Sequence, residues 1–208
     1  MLETFSKNIL TLLQSPTSIF ALLGVLILIV AGIQVRKIKL TTKILVNVSL
    51  MLALAVILHF LRLYHFPQGG SVTLGAMIPL LLISFRYGAG VGTLAGFAFG
   101  LLNILQDPFI VHPIQVLFDY PLPYMATGLA GLFPRHMFAG VFAAFAGRFI
   151  CHFISGVIFF ASYAPEGMSP IIYSLTTNAA LLVPEALICC VILKFLPVER
   201  ILSAMNPH

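Results

Sequence analysis

Apolar positions dominate this chain in long runs, interrupted by short clusters of basic residues, proline and glycine. Because about 20 residues cross the hydrocarbon of a bilayer, the pattern predicts seven membrane spans, at roughly 17–35, 44–63, 72–85, 89–105, 114–133, 137–160 and 171–193. The third is short and carries Pro79, which predicts a tilt or kink. The first apolar run begins near Ser18 without a basic leader or a small-residue cleavage site, so it reads as a retained span rather than a signal peptide. No soluble domain and no internal repeat interrupts the series.

Polar residues inside these runs are the next signal, since an ionised carboxylate in a bilayer costs at least about 2.5–3.5 kcal/mol on insertion scales. The stretch FIVHPIQVLFDYPLPYMATGLAGLF (109–133) holds His112, Gln115, Asp119 and Tyr120, with Gln115 and Asp119 four apart. In the sixth span Arg148 and His152 share a helical face, continued by Ser155 and Phe159, with Phe160 beside it. In the seventh, Asn178 and Glu185 are seven apart and nearly superposed, with Tyr173 and Ser174 above them.

Each admits a structural reading beside a functional one. Arg148 pairs with Asp119 or Glu185 as an internal ion pair, and Glu185 reads as a paired structural charge. His152 either packs quietly or offers a neutral imidazole to a small polar ligand. Asn178 is inter-helix glue or a donor and acceptor for the edge of a heteroaromatic ring. Asp107 is a solvated loop acid or an attractor of a cation. In the second span Ser49 and Ala53 form a small-xxx-small pair, a face that another helix can approach closely.

Composition closes off other classes. Of 208 residues, 60% are apolar and 8% charged, against about 25% charged in a soluble domain; a chain this small cannot hide so many apolar runs in a water-soluble core. The net charge of +5 sits at helix ends, so it does not predict nucleic-acid binding. Arg36, Lys37, Lys39, Lys43, Arg86, Arg135, Lys194 and Arg200 fall on one side if the spans alternate, which makes that side cytoplasmic. Lys7 and Arg62 lie on the opposite side, and Arg148 lies within a span. The N-terminus and the loops near 64–71, 106–112 and 162–170 are then outside, and the C-terminus is cytoplasmic. Cys151, Cys189 and Cys190 read as small buried hydrophobes. Neither a phosphate-binding G-x-x-x-x-G-K-[ST] loop nor an HExxH or paired Cys/His metal spacing occurs, so no cofactor, metal site or intrinsic ATPase is expected.

Three ordered blocks carry a family likeness: PQGGSVTLGAMIPLLLISFRYG (67–88), VHPIQVLFDYPLPYMATGLAGLF (111–133) and GRFICHFISGVIFFASYAPEGMSPIIYSLTTN (147–178). Together they resemble the thiamine-specific substrate-binding component of energy-coupling-factor vitamin transporters, over roughly 43–196. The resemblance implies an all-α membrane protein, a six-helix bundle at 41–208, to which this chain adds an extra N-terminal transmembrane helix and basic loop at 1–40. It also implies capture of thiamine from outside, followed by association with a transmembrane coupling protein and two ATPase subunits. By position in the blocks, His152, Tyr173 and Asn178 would bind the aminopyrimidine and Phe160 would stack on the ligand. Asp107 would face the cationic thiazolium, and Phe99 would form a further aromatic wall. Ser49 and Ala53 stand where the family's coupling protein docks.

The chemistry of such a ligand suits these residue types: a polar edge, a flat face and a permanent positive charge. No tryptophan is present, so stacking falls to Phe or Tyr, and a pyrimidine precursor of thiamine stands as an alternative cargo. Two readings of other classes also follow from the residues. An autonomous transporter or channel would use Asp119, Arg148 and Glu185 as an ion relay, and an intramembrane enzyme would use His152 and Asp119 as acid and base.

Overall fold

The computed structural model describes residues 16–35 and 38–205; Lys7, Arg36 and Lys37 lie outside them. The first helix, α1, runs Pro16–Val35, a length of 20 residues that spans about 30 Å. Helix α2 (Thr42–His59) starts at Thr41, whose Oγ1 accepts a hydrogen bond from the Ile44 backbone N–H at 3.3 Å. An antiparallel hairpin follows, β1 (Arg62–His65) paired with β2 (Ser71–Thr73), with Tyr64 opposite Val72. The chain then forms α3 (Ile78–Gln106), α4 (Pro113–Asp119), α5 (Pro121–Met125) and a 3-10 segment (Ala126–Leu132). Helix α6 (Met137–Phe159), a short 3-10 turn (Ala161–Tyr163), α7 (Pro170–Phe195) and α8 (Val198–Ala204) complete it. Among the described residues α2, α3, α6 and α7 are each long and apolar enough to cross a membrane, so the protein is an all-α membrane protein with one small hairpin.

Two of the expected spans need correction. The run 72–85 does not begin as a helix: Val72 and Thr73 belong to β2, whose three residues are all buried. Helix begins at Ile78, with Pro79 in its first turn, where its missing N–H has no intrahelical acceptor to serve. The third and fourth spans are separate helical segments of α3 that meet at Gly88 (φ 84, ψ 174). A Cβ on Gly92 would collide with Ser84 Oγ, eight residues earlier, whereas a straight helix would set those positions about 12 Å apart. The chain therefore doubles back at Gly88, a conformation glycine adopts without a Cβ clash.

The fifth span, read from sequence as a single helix over 114–133, is three short pieces. Tyr120 leaves helical geometry (φ −119, ψ −80), and Pro121 and Pro123 bring no N–H to the ladder. What holds this irregular rod is contact with α3. A Cβ on Gly96 would collide with the Tyr124 carbonyl oxygen, and one on Gly100 would lie 2.7 Å from that of Tyr120. Backbone meets backbone here, as small residues permit in membranes. The apolar core extends from this contact through Leu80, Leu81, Ile83, Phe99, Val141, Ala144, Leu182, Cys189 and Leu193.

At one end of the bundle, Asn47 and Tyr87 both bond to the Met205 carbonyl oxygen, at 3.3 and 2.7 Å, and tie α8 to α2 and α3. At the other end the hairpin and the loops after α3 and α6 surround a cavity.

Candidate ligand-binding site

The cavity opens at this end and is lined by side chains from α2, the hairpin, α3, α4, α6 and α7. One wall is built by α6 and α7. These helices approach closely because Gly156 faces Ser174, whose Oγ donates to the Phe153 carbonyl at 2.8 Å. Asn178 spans the same seam: its Nδ2 donates to the carbonyl oxygens of Ser174 (2.8 Å) and His152 (3.2 Å). Two carbonyl acceptors fix which way the amide points. No protein donor among the described residues bonds to Asn178 Oδ1, so an acceptor is left for a ligand. The glue and ligand readings of Asn178 are therefore compatible, each using a different atom.

His152 stands one turn above Arg148 and places Nδ1 3.3 Å from Asp119 Oδ1. With an imidazole proton on Nδ1 donated to Asp119, Nε2 is left to accept. Asp119 is braced in turn by Gln115 Nε2, which also donates to the Phe109 carbonyl at 3.0 Å. Tyr120 receives the Phe109 N–H at 2.7 Å and donates to the Asp107 carbonyl at 2.8 Å. The α4 segment thus pins the loop 107–109 to the site. Asp119 lines the cavity and is paired with His152, not with Arg148.

The aromatic surface lies at the mouth. Phe160 stacks with Phe109 (centroids 5.9 Å apart, 23° between planes) and packs at 5.6 Å against Tyr163. Tyr173 lines the same opening. Phe99 does not: it is fully buried, edge-on to Tyr124 at 4.8 Å and to His59 at 6.0 Å. It supports the floor from behind instead of forming a wall.

At the rim, Asp107 is already engaged. Arg62 Nη1 lies 3.3 Å from its Oδ2, and His65 Nδ1 lies 3.5 Å from the same oxygen. At the floor, Arg148 Nη1 meets Glu185 Oε2 at 3.0 Å, with both side chains almost fully buried. Thr73 of β2 donates to the other carboxylate oxygen at 2.9 Å. Arg148 also lies 5.1 Å from the ring centres of Tyr124 and Phe145. Of the two partners expected for Arg148, Glu185 is the one it has.

The floor holds residues that sequence reasoning passed over. Asn103 receives the Tyr124 hydroxyl proton at 3.0 Å and sits 3.1 Å from His59 Nε2. His59 and Asn103 fall inside the expected spans 44–63 and 89–105, and the sequence reading singled out neither. Thr73 carried no polar signal of note beside its apolar neighbours. The cavity lining contains three carboxylates, Asp107, Asp119 and Glu185, and one guanidinium, Arg148. Arg62 pairs with Asp107 and Arg148 with Glu185, so Asp119 is the lining carboxylate without an arginine beside it, which favours a cationic ligand.

Residues 45–204 match the model of the family described as Thiamine transporter protein. The chain belongs to this family. Among curated relatives, the thiamine transporter ThiT of Bacillus subtilis is 38% identical over 181 residues, covering 77% of this chain and 94% of that protein. ThiT of Lacticaseibacillus paracasei is 29% identical over 122 residues, covering 49% of this chain and 61% of that one. Among solved structures, ThiT from Listeria monocytogenes superposes with a TM-score of 0.70 at 24% identity, covering 79% of this chain and 97% of that chain. The hairpin, the doubled α3 and the cavity of this family member all lie within the matched residues, and α1 precedes them.

Proposed function

We propose that this family member is the thiamine-binding membrane subunit of an energy-coupled importer. The observation that carries the reading is the cavity wall itself. It combines a free amide acceptor (Asn178 Oδ1), an oriented imidazole (His152), an aromatic face (Phe160 with Phe109) and surplus carboxylate. A thiamine aminopyrimidine offers its amino group and ring nitrogens to Asn178, His152 and Tyr173, while Phe160 stacks on a ring. Asp119 is the carboxylate best suited to the thiazolium charge, because Arg62 already compensates Asp107. Nothing needs to be chemically transformed, and the wall is that of a binding site.

The proposal extends to topology and partners. The basic positions Lys43, Arg86, Lys194 and Arg200 gather at the end tied together by Asn47, Tyr87 and Met205, opposite the mouth. We assign that end and the C-terminus to the cytoplasm and the mouth and N-terminus to the outside, with 41–208 forming the binding unit. Helix α2 is the least covered of the four long helices, and Ser49, Ala53, Leu50 and Leu54 are exposed on it. That face would dock a transmembrane coupling protein, and two ATPase subunits would supply the energy.

Isothermal titration of the purified chain tests the reading, first with thiamine and then with its hydroxymethylpyrimidine precursor. Tight one-to-one thiamine binding supports it. Binding of the precursor alone changes the cargo. Silence with both ligands, together with proton-driven flux abolished by Asp119→Asn, would replace it with the ion-relay mechanism.

A further inference from the structure

Helix α1 lies outside the residues matched to the family, and it packs on both α3 and α4. Its outward positions Leu22, Leu26, Ile29 and Val30 are about half exposed, whereas Gly24 is buried. A Cβ on Gly24 would lie 3.3 Å from Phe118 Cε2 and 3.5 Å from Leu122 Cδ1. One turn further on, Leu28 packs against the same cluster of Phe118, Leu122 and Met125.

Phe118 and Leu122 bracket the break at Tyr120. The backbone between them has no continuous helical ladder: the Tyr120 N–H closes α4 at 3.1 Å on the Val116 carbonyl, and the next bond, Tyr124 N–H to Tyr120 O, is stretched to 3.5 Å. This is the segment that carries Gln115, Asp119 and Tyr120 into the cavity wall. On one side it is held by α3, through the backbone contact at Gly100. On a second side α6 packs on both α4 and α5, with Cys151 and Ile154 against Phe118, Leu122 and Met125, and α1 covers the side that these two helices leave open.

We propose that α1 is a brace for the ligand site, with Gly24 as its positioning residue. By pressing on Phe118 and Leu122, it sets the angle between α4 and α5 and so the place of Asp119 relative to His152. This rests on the binding reading above. The physical reason for a dedicated brace is that lipid tails are as apolar as leucine and can cover Phe118 and Leu122 equally well. Lipid cannot hold a broken helix at a defined angle. A helix seated across the break can, because close-packed side chains are stiff.

The test uses the full chain in lipid nanodiscs, with Gly24→Leu as a wedge and Gly24→Ala as a milder one. The wedge is expected to weaken thiamine binding by roughly fivefold or more, Gly24→Ala by less, and the effect is expected to shrink in an Asp119→Asn background. Amide hydrogen exchange across 113–125, which needs no ligand, is expected to quicken in Gly24→Leu and to stay unchanged in α6 and α7. Unchanged affinity and exchange in Gly24→Leu would overturn the brace, as would an affinity loss of equal size with Asp119 and with Asn at that position. If the unsubstituted chain binds no thiamine, the binding reading fails by itself, and the exchange measurement alone then decides the brace.

Discussion

The rim and the floor of the cavity contain the same chemical pair, an arginine and a carboxylate, in opposite surroundings. At the rim, Arg62 and Asp107 keep 24% and 20% of their side-chain surface exposed and share the acid with His65. At the floor, Arg148 and Glu185 keep 4% and 2%; Thr73 bonds to the acid and two aromatic rings face the guanidinium. Water can solvate either partner of the rim pair when the other is lost, so separating them costs little. The floor pair has no such alternative, and each member depends on the other. The floor is therefore a pair the fold depends on, and the rim is a pair whose loss the fold tolerates.

The sharpest way to break this comparison is Arg148→Ala. Leaving Glu185 buried without its partner is expected to cost about 3–5 kcal/mol, read as loss of monodisperse protein and a lowered Tm in detergent. Normal yield and Tm would show that the floor pair does not carry the fold. Next in size come the wall residues between the two pairs. Asn178→Ala and His152→Ala should each weaken thiamine binding by more than about 1 kcal/mol, because ligand polar groups lose their partners; titration calorimetry reads this directly, and unchanged affinity in both would remove the site.

The two acids then separate in rank. Asp119→Asn should reduce thiamine affinity more than Asp107→Asn, since Arg62 already offsets the charge at Asp107; the reverse order would place the ligand's cation at the rim. The smallest effect belongs to Arg62→Ala, expected to shift stability by less than about 1 kcal/mol and to do so less as salt rises. A salt-independent loss as large as that of Arg148→Ala would erase the distinction between rim and floor.

How far the sequence anticipated this arrangement differs from residue to residue. The apolar runs that became α1, α2, α6 and α7 were legible because hydropathy is a property of each run on its own. The turn at Gly88 was legible too, as a basic and glycine-containing gap between two short runs. The hairpin was not, because Ser71–Thr73 continues into the apolar residues that open α3 and reads with them. The broken fifth span was hidden for a related reason: 114–133 is apolar throughout, and Pro121 and Pro123 mark a disturbance without saying that three separate pieces result. His152, Tyr173 and Asn178 were grouped by their positions in the family-like blocks, whereas helical spacing alone paired Arg148 with His152 and Asn178 with Glu185. Phe99 was misplaced, because an aromatic on a helix does not announce which neighbour it faces.

What the sequence alone determined, then, was the solvent: 60% apolar residues in membrane-length runs leave no other home for the chain, because backbone polar groups in hydrocarbon must be satisfied within helices. It also determined which residues were costly enough to need partners. Which partner each one took was decided only by the tertiary structure. Arg148 had two acids within plausible reach along the chain, and packing gave it Glu185 while turning Asp119 toward His152. Asn178 could have spent its amide anywhere, and the α6–α7 seam consumed its donor and left its acceptor. Those choices depend on distances between helices far apart in sequence, which local patterns of polar and apolar residues do not encode.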